Sequence, residues 1–244
     1  MSGLFYNLGR KVGPKVRKAK WIWHSVAGTE ADTIKIENEV GRDLAREIRL
    51  LSEIDKNPKL EQILNETGLR LRECVANELR TFNFEAITGL EPNAFALPGG
   101  FIFVTSSIID LCQWDKDETA FIVAHEMSHV IRKHAINRIM RDFAVTAASR
   151  VAPVRGAIAG WVKKVGMQYL ESSYSHELEF EADKLGVRLI EAAGFTPEAS
   201  ISLLRRLSEL KSSPNQIELG NYFSTHPPFT ERISNINELL RKHK

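Results

Sequence analysis

The chain has 244 residues, which is enough for one compact domain with a sizeable core. Hydrophobic residues make up 43% and charged residues 26% of the sequence, close to the averages of globular proteins, so a disordered or fibrous chain is excluded. The net charge of +2 is too small to indicate a nucleic-acid partner, and the two cysteines are too few for a disulfide framework.

Basic residues near the N-terminus set the first segment apart from the rest of the chain. We predict a basic arm over residues 1–29 and one folded domain over residues 30–244. The arm could lie on an anionic membrane surface, because its lysines and arginines are interspersed with aromatic side chains; packing on its own domain is the alternative. The arm has no apolar run long enough for a secretory signal.

Helical spacing of apolar residues marks the next part of the chain. It extends from Glu30 to about Leu51 and again from Pro58 to about Val75, which predicts two packed helices. The period then changes to alternation between residues 82 and 103, with glycines and prolines between the alternating runs, which predicts a small sheet.

The remaining elements are predicted to be helices. Asp115 and Glu118 have the spacing of a capping box, which opens the helical run TAFIVAHEMSHVIRKHA. A further helix is predicted from about Ser175 to Ala193, where a glycine ends it, and another from residues 196–197 to about residues 213–214. A final amphipathic helix is predicted from about Thr230. The fold class is therefore α+β and mostly helical, with a small β-sheet.

The run His125-Glu126-Met127-Ser128-His129 in the central predicted helix matches the pattern H-E-x-x-H. Histidines four residues apart project from one face of a helix, so both can bind one Zn²⁺ at about 2.0 to 2.1 Å. Glu126 follows the first of them, where its carboxylate can act as the general base on a metal-activated water. A chance match on a charged helix is the alternative.

A catalytic zinc needs a third protein ligand, and an acidic run at residues 177–183 supplies the candidates. Glu179 and Asp183 share one face of the predicted helix, whereas Glu181 points elsewhere. Asp183 could then accept the outer N–H of a ligand histidine. Helical geometry alone does not exclude Glu177 as the ligand, and an ordinary solvated acidic face is the alternative.

Three motifs in order, HEMSH, ELEFEADKLGVRLIEAAGF and STHPPFTERI, resemble the gluzincin-type zinc metallopeptidase family that includes HtpX, BepA, LoiP and the CAAX prenyl proteases. The resemblance extends from about NAFALPGGFIFVT to the C-terminus. It implies a zincin-like domain that holds one Zn²⁺ through His125, His129 and Glu179. It also implies hydrolysis of internal peptide bonds in unfolded or damaged polypeptides, a protein quality-control activity.

The resemblance suggests roles for two further segments. One would be an edge strand that takes up a substrate peptide by main-chain pairing, although a plain hairpin that supports the central helix is the alternative. The other carries His226 and Arg232, and lies near the metal in the family, so either side chain could stabilise the oxyanion or hold a lid. The predicted edge-strand residues are Phe101, Ile102, Phe103 and Val104.

HtpX and the prenyl proteases resemble each other in having several transmembrane helices, and here this chain departs from them. Its longest apolar stretch, Phe143 to Val162, is interrupted by two arginines and a proline, so we predict no transmembrane helix. A cytoplasmic protein with peripheral membrane contact through the arm is expected.

The rival functions are a non-catalytic zinc-bound chaperone or adaptor and a membrane-surface scaffold. An intact Glu126 argues against the chaperone, because binding alone needs no base.

Overall fold

The computed structural model describes residues 29–89, 91–139, 174–212 and 228–242. The predictions for the basic arm at residues 1–28, for the apolar stretch from Phe143 to Val162 and for His226 lie outside these residues. Within them, no helix is long and apolar enough to cross a membrane.

Two amphipathic helices open the described chain, as the periodicity predicted. Helix α1 spans Glu30–Leu51, and the side chains of Thr29 and Asp32 cap its first turn reciprocally. Helix α2 spans Pro58–Glu73, with Asn57 as its N-cap and a proline in its first turn. Each helix buries one apolar face, so packing against the rest of the domain stabilises both helices.

A three-stranded sheet follows, formed by β1 Asn83–Ile87, β2 Ala94–Leu97 and β3 Phe101–Thr105. Strand β3 pairs with β1 in parallel and with β2 in antiparallel orientation. A short 3-10 turn over Pro98–Gly100 joins β2 to β3. Gly100 has a φ of +84°, and a Cβ there would lie 2.0 Å from the carbonyl oxygen of the residue at 81, so this turn requires glycine.

The strand order is β1-β3-β2, which corrects the prediction of a substrate-binding edge at residues 101–104. Phe101, Ile102, Phe103 and Val104 lie in the central strand, and each has a partner in both neighbouring strands. The backbone groups of a central strand bond to its two neighbours, so β3 has none to offer a substrate. Strand β2 instead lies at one edge, and no other strand in the described part of the chain pairs with it.

Helix α3 spans Ser106–Leu111 and leads to the central helix α4, Lys116–Ile131. The Asp115 side chain accepts hydrogen bonds from the backbone N–H groups of residues 117 and 118, as expected of an N-cap. The other hydrogen bond of the predicted capping box, from the backbone N–H of Asp115 to the side chain of Glu118, does not form. The Glu118 carboxylate instead accepts a hydrogen bond from Arg206, 3.0 Å away, because tertiary packing brings a cation to it.

A helical segment over residues 134–139 follows α4, and three further helices are described: α5 His176–Ala192, α6 Ala199–Ser212 and α7 Phe229–Arg241. Helix α4 packs against α2, α5, α6 and β2, which explains why it is buried around most of its circumference. Gly186 of α5 lies against the α4 backbone, since a Cβ there would be only 3.3 Å from the amide nitrogen of His125. The predicted α+β, mostly helical class is confirmed, and close α4–α5 packing positions the candidate site.

Candidate metal centre

Helices α4 and α5 bring three predicted metal ligands together. His125, His129 and Glu179 have exposed fractions of 2%, 1% and 0%, and each offers one ligand atom within 4.8 Å of the other two. Glu177, one of the alternatives that helical geometry left open, is exposed on the first turn of α5. The structure therefore groups Glu179, and not Glu177, with the two histidines.

The spacing of the three donors fits a single metal ion. The Nε2 atoms of His125 and His129 are 3.2 Å apart, and each lies 3.4 Å from an oxygen of Glu179. Ligands on a tetrahedron around Zn²⁺, at about 2.0 to 2.1 Å from the ion, are separated by about 3.3 Å. Two imidazoles and one carboxylate are also a donor set that catalytic zinc sites use. A buried carboxylate that faces two imidazole nitrogens is well suited to a cation.

Glu126 lies next to this group but faces β2. Its carboxylate accepts a hydrogen bond from the backbone N–H of Ala96, and burial raises its pKa to about 7. A carboxylate with a pKa near neutral is matched to accepting and releasing a proton at physiological pH. A divalent cation bound to the neighbouring donors would lower this pKa again, since it favours the ionised form.

Asp183 lies behind His125, where it was predicted. Its Oδ1 atom is 3.0 Å from Nδ1 of His125, so the imidazole can donate to it and keep Nε2 free for a metal. The Arg232 guanidinium forms a two-pronged ion pair with the same carboxylate, at 2.6 and 2.8 Å. Burial by itself raises the pKa of Asp183, but the charge of Arg232 and the hydrogen bond from His125 hold it at about 2.

The position of Arg232 argues against the first of its two predicted roles, stabilisation of the oxyanion, and does not test the second, holding a lid. Its side chain is 0% exposed, so a substrate cannot reach it. Its Nη2 atom lies 3.4 Å from Nδ1 of His125, on the side of the imidazole that faces away from the donor group. Arg232 therefore contacts the site through Asp183 and His125. The motif that carries it indicated proximity to the metal, but not which side of the ligand it would occupy.

Two residues behind His129 were not expected at the site. His134 lies outside the H-E-x-x-H motif, yet its Nδ1 atom is 3.0 Å from Nδ1 of His129. The ring of Tyr174 stacks on His129 with a centroid distance of 4.2 Å. The predicted helical run extended past His134, and a continuous helix would turn that side chain away from His129. Helix α4 instead ends at Ile131, so helical periodicity did not predict this contact.

A mostly helical α+β domain with H-E-x-x-H on its central helix, and a glutamate donor on the helix packed against it, defines the class of zincin-like metalloprotease domains. The model of peptidase family M48 matches residues 55–240, which is most of the chain. The chain belongs to peptidase family M48. This confirms the family expected from the three motifs, and membership in a metalloprotease family implies a metal cofactor.

Curated relatives agree with this assignment. The chain is 33% identical over 155 residues to the mitochondrial metalloendopeptidase OMA1 of Saccharomyces cerevisiae, covering 62% of this chain and 44% of the yeast protein. It is 29% identical over 226 residues to the beta-barrel assembly-enhancing protease of Escherichia coli, covering 85% of this chain and 45% of that protein. The chain thus spans less than half the length of these relatives.

Proposed function

We propose that this M48 domain is a zinc-dependent endopeptidase that hydrolyses internal peptide bonds of unfolded or damaged polypeptides. The observation that carries the proposal is the group of three buried donors, spaced at 3.2 to 3.4 Å, with Glu126 on the same helix as two of them. The names of the relatives, a metalloendopeptidase and a beta-barrel assembly-enhancing protease, support a role in protein quality control.

The proposed chemistry assigns one task to each group. A bound Zn²⁺ would activate water near neutral pH and polarise the scissile carbonyl. His125, His129 and Glu179 would hold the ion. The Glu126 carboxylate would accept the proton of the attacking water and pass it to the leaving amine nitrogen, while the Ala96 N–H keeps that carboxylate oriented.

This proposal is tested by measuring metal content and casein cleavage on the same preparation of the full chain. We expect about one zinc ion per chain, in line with a single set of three protein ligands, and cleavage that a chelator abolishes and added zinc restores. Bound zinc without any cleavage would contradict the enzyme and favour the chaperone or adaptor.

Strand β2 is the proposed binding edge for the substrate, in place of β3. The Thr105 N–H donates to the carbonyl of Asn93 at 2.9 Å, which marks that pair as hydrogen-bonded. Hydrogen-bonded and non-bonded pairs alternate along an antiparallel ladder, so the backbone groups of Ala94 and Ala96 point away from β3. The contact between Ala96 and Glu126 supports this choice of edge, since Glu126 is the proposed general base. Main-chain pairing there would suit unfolded chains of many sequences.

Ala94→Pro tests the proposed edge. Proline removes an N–H that points away from β3, so the ladder should persist while one hydrogen bond to an extended substrate is lost. We expect kcat/KM for a long unfolded substrate to fall about two- to tenfold, the worth of one backbone hydrogen bond, with unchanged zinc content. As the matched control, Phe95→Pro removes a ladder donor and should lower the melting temperature instead. Normal cleavage by a folded Ala94→Pro variant would eliminate β2 as the binding edge.

Asp183 is expected to matter through His125. Asp183→Ala should lower zinc affinity by roughly ten- to a hundredfold, the usual effect of losing the partner of a ligand histidine. Asp183→Asn should cost less, because its side-chain oxygen still accepts from Nδ1 of His125. Chelator competition measures both affinities, with Glu177→Ala as the control on the same helix. Equal affinities for Asp183→Ala and the wild type would show that Asp183 does not support the ligand.

Two further predictions remain proposals about residues outside the described ranges. His226 would lie close enough to the metal to donate a hydrogen bond to the oxyanion or to occupy the open position, because the two prolines after it stiffen its backbone. The basic arm would provide peripheral membrane contact for a cytoplasmic enzyme.

A further inference from the structure

His129 has a partner of a different kind from that of His125. Nδ1 of His125 faces the carboxylate of Asp183, whereas Nδ1 of His129 faces another imidazole, that of His134, at 3.0 Å. The two rings of His129 and His134 meet edge to face, with planes at 70°, and both residues are buried. The other nitrogen of His134, Nε2, lies 3.4 Å from the Glu181 carboxylate.

The donor and acceptor roles of His129, His134 and Glu181 follow from the position of His129. Its Nε2 faces Glu179 and His125, so a metal there needs the Nε2 lone pair and leaves the ring hydrogen on Nδ1. Two ring nitrogens at 3.0 Å form a hydrogen bond only if one donates and the other accepts. Nδ1 of His134 is then the acceptor, and its own hydrogen sits on Nε2, which faces an oxygen of Glu181. Each group has the partner that its tautomer requires.

The backbone is shaped to bring His134 back onto His129. Helix α4 ends at Ile131, and Lys133 adopts a φ of +60°, which is uncommon for a residue other than glycine. A new helical segment then runs over residues 134–139, and its Ile136 and Ile139 are buried in the core cluster that includes α1. This turn and its buried anchor fix the imidazole of His134 at the back of the site.

We propose that His134 is a positioning residue of the metal site: by accepting the Nδ1 hydrogen of His129 it holds that ligand in the tautomer and orientation that metal binding needs. The inference rests on the proposed function in taking His129 as a metal ligand. It goes beyond that function because it gives the two ligand histidines different supporting partners. The Asp183–Arg232 ion pair supports His125, whereas the imidazole of His134, which contacts Glu181, supports His129.

Three substitutions of His134 in the full chain separate positioning from packing. His134→Leu removes the acceptor but keeps an apolar side chain of similar size. His134→Asn places its Oδ1 as many bonds from Cβ as Nδ1, so it can accept from His129, whereas His134→Gln places its amide where Nε2 lay. Zinc affinity is measured by chelator competition, the ligand field by the absorption bands of the Co²⁺-substituted protein, and folding by the melting temperature in chelator.

We expect His134→Leu and His134→Gln to bind zinc roughly ten- to a hundredfold more weakly than the wild type and to shift the Co²⁺ bands. His134→Asn should restore both towards wild type. Wild-type zinc affinity and Co²⁺ bands in folded His134→Leu would overturn the proposal, and so would an Asn variant as weak as the Leu variant. These readouts do not depend on cleavage, so a chain whose zinc affinity depends on His134 but which cleaves nothing would refute only the proposed protease. A wild type that binds neither metal would refute both.

Discussion

Glu126→Gln should retain zinc and lose at least about a hundredfold in turnover, since general-base assistance is typically worth that much. The amide is nearly isosteric with the carboxylate and can accept the same hydrogen bond from Ala96, but it cannot take a proton from water. Glu126 is not one of the three grouped donors, so the metal site stays intact. Casein cleavage and zinc content of the same preparation measure the two effects.

Glu118→Gln is the matched control for this variant. It changes another buried glutamate of α4, but one that pairs with Arg206 instead of facing the donor group. We expect it to retain most of the wild-type turnover. Normal cleavage by Glu126→Gln would show that the proposed mechanism is wrong, and an equal loss in both variants would indicate a general effect of removing a buried charge from this helix.

Glu179→Ala should lower zinc affinity by more than the roughly ten- to hundredfold that loss of an outer hydrogen-bond partner costs. Its carboxylate is fully buried and lies 3.4 Å from Nε2 of each histidine, so its removal leaves two of three protein donors and takes away the negative charge among them. Chelator competition with the purified variant measures the loss. Activity should fall with zinc occupancy, and added zinc should restore it only at high concentration.

Glu177→Ala is the control for this second variant, because Glu177 is exposed on the same first turn of α5. It should leave zinc affinity unchanged, whereas Glu181→Ala removes the partly exposed partner of His134 and should lower the affinity by less than Glu179→Ala does. Equal zinc loss in all three variants would point to destabilisation of α5. Wild-type affinity in Glu179→Ala would remove this residue from the proposed ligand set.

The sequence predicted the helices well because their signals are local. Thr29, Asn57 and Asp115 cap the first turns of α1, α2 and α4, and the apolar faces between them follow from side-chain spacing alone. The pairing of His125 with His129 is local too, since residues four apart on a helix are always neighbours. The choice of Glu179 over Glu177 needed the family resemblance, because it depends on which face of α5 meets α4.

By itself, then, the sequence determined the helical elements, the paired histidines with Glu126 beside them, and the family. The tertiary structure alone decided that β3 is central, that Arg232 supports Asp183, and that His134 lies behind His129. Each of these depends on elements far apart in the chain or on a turn after a helix has ended. Side-chain spacing specifies neighbours within one element, whereas strand order and the groups behind a ligand are set by how separate elements pack.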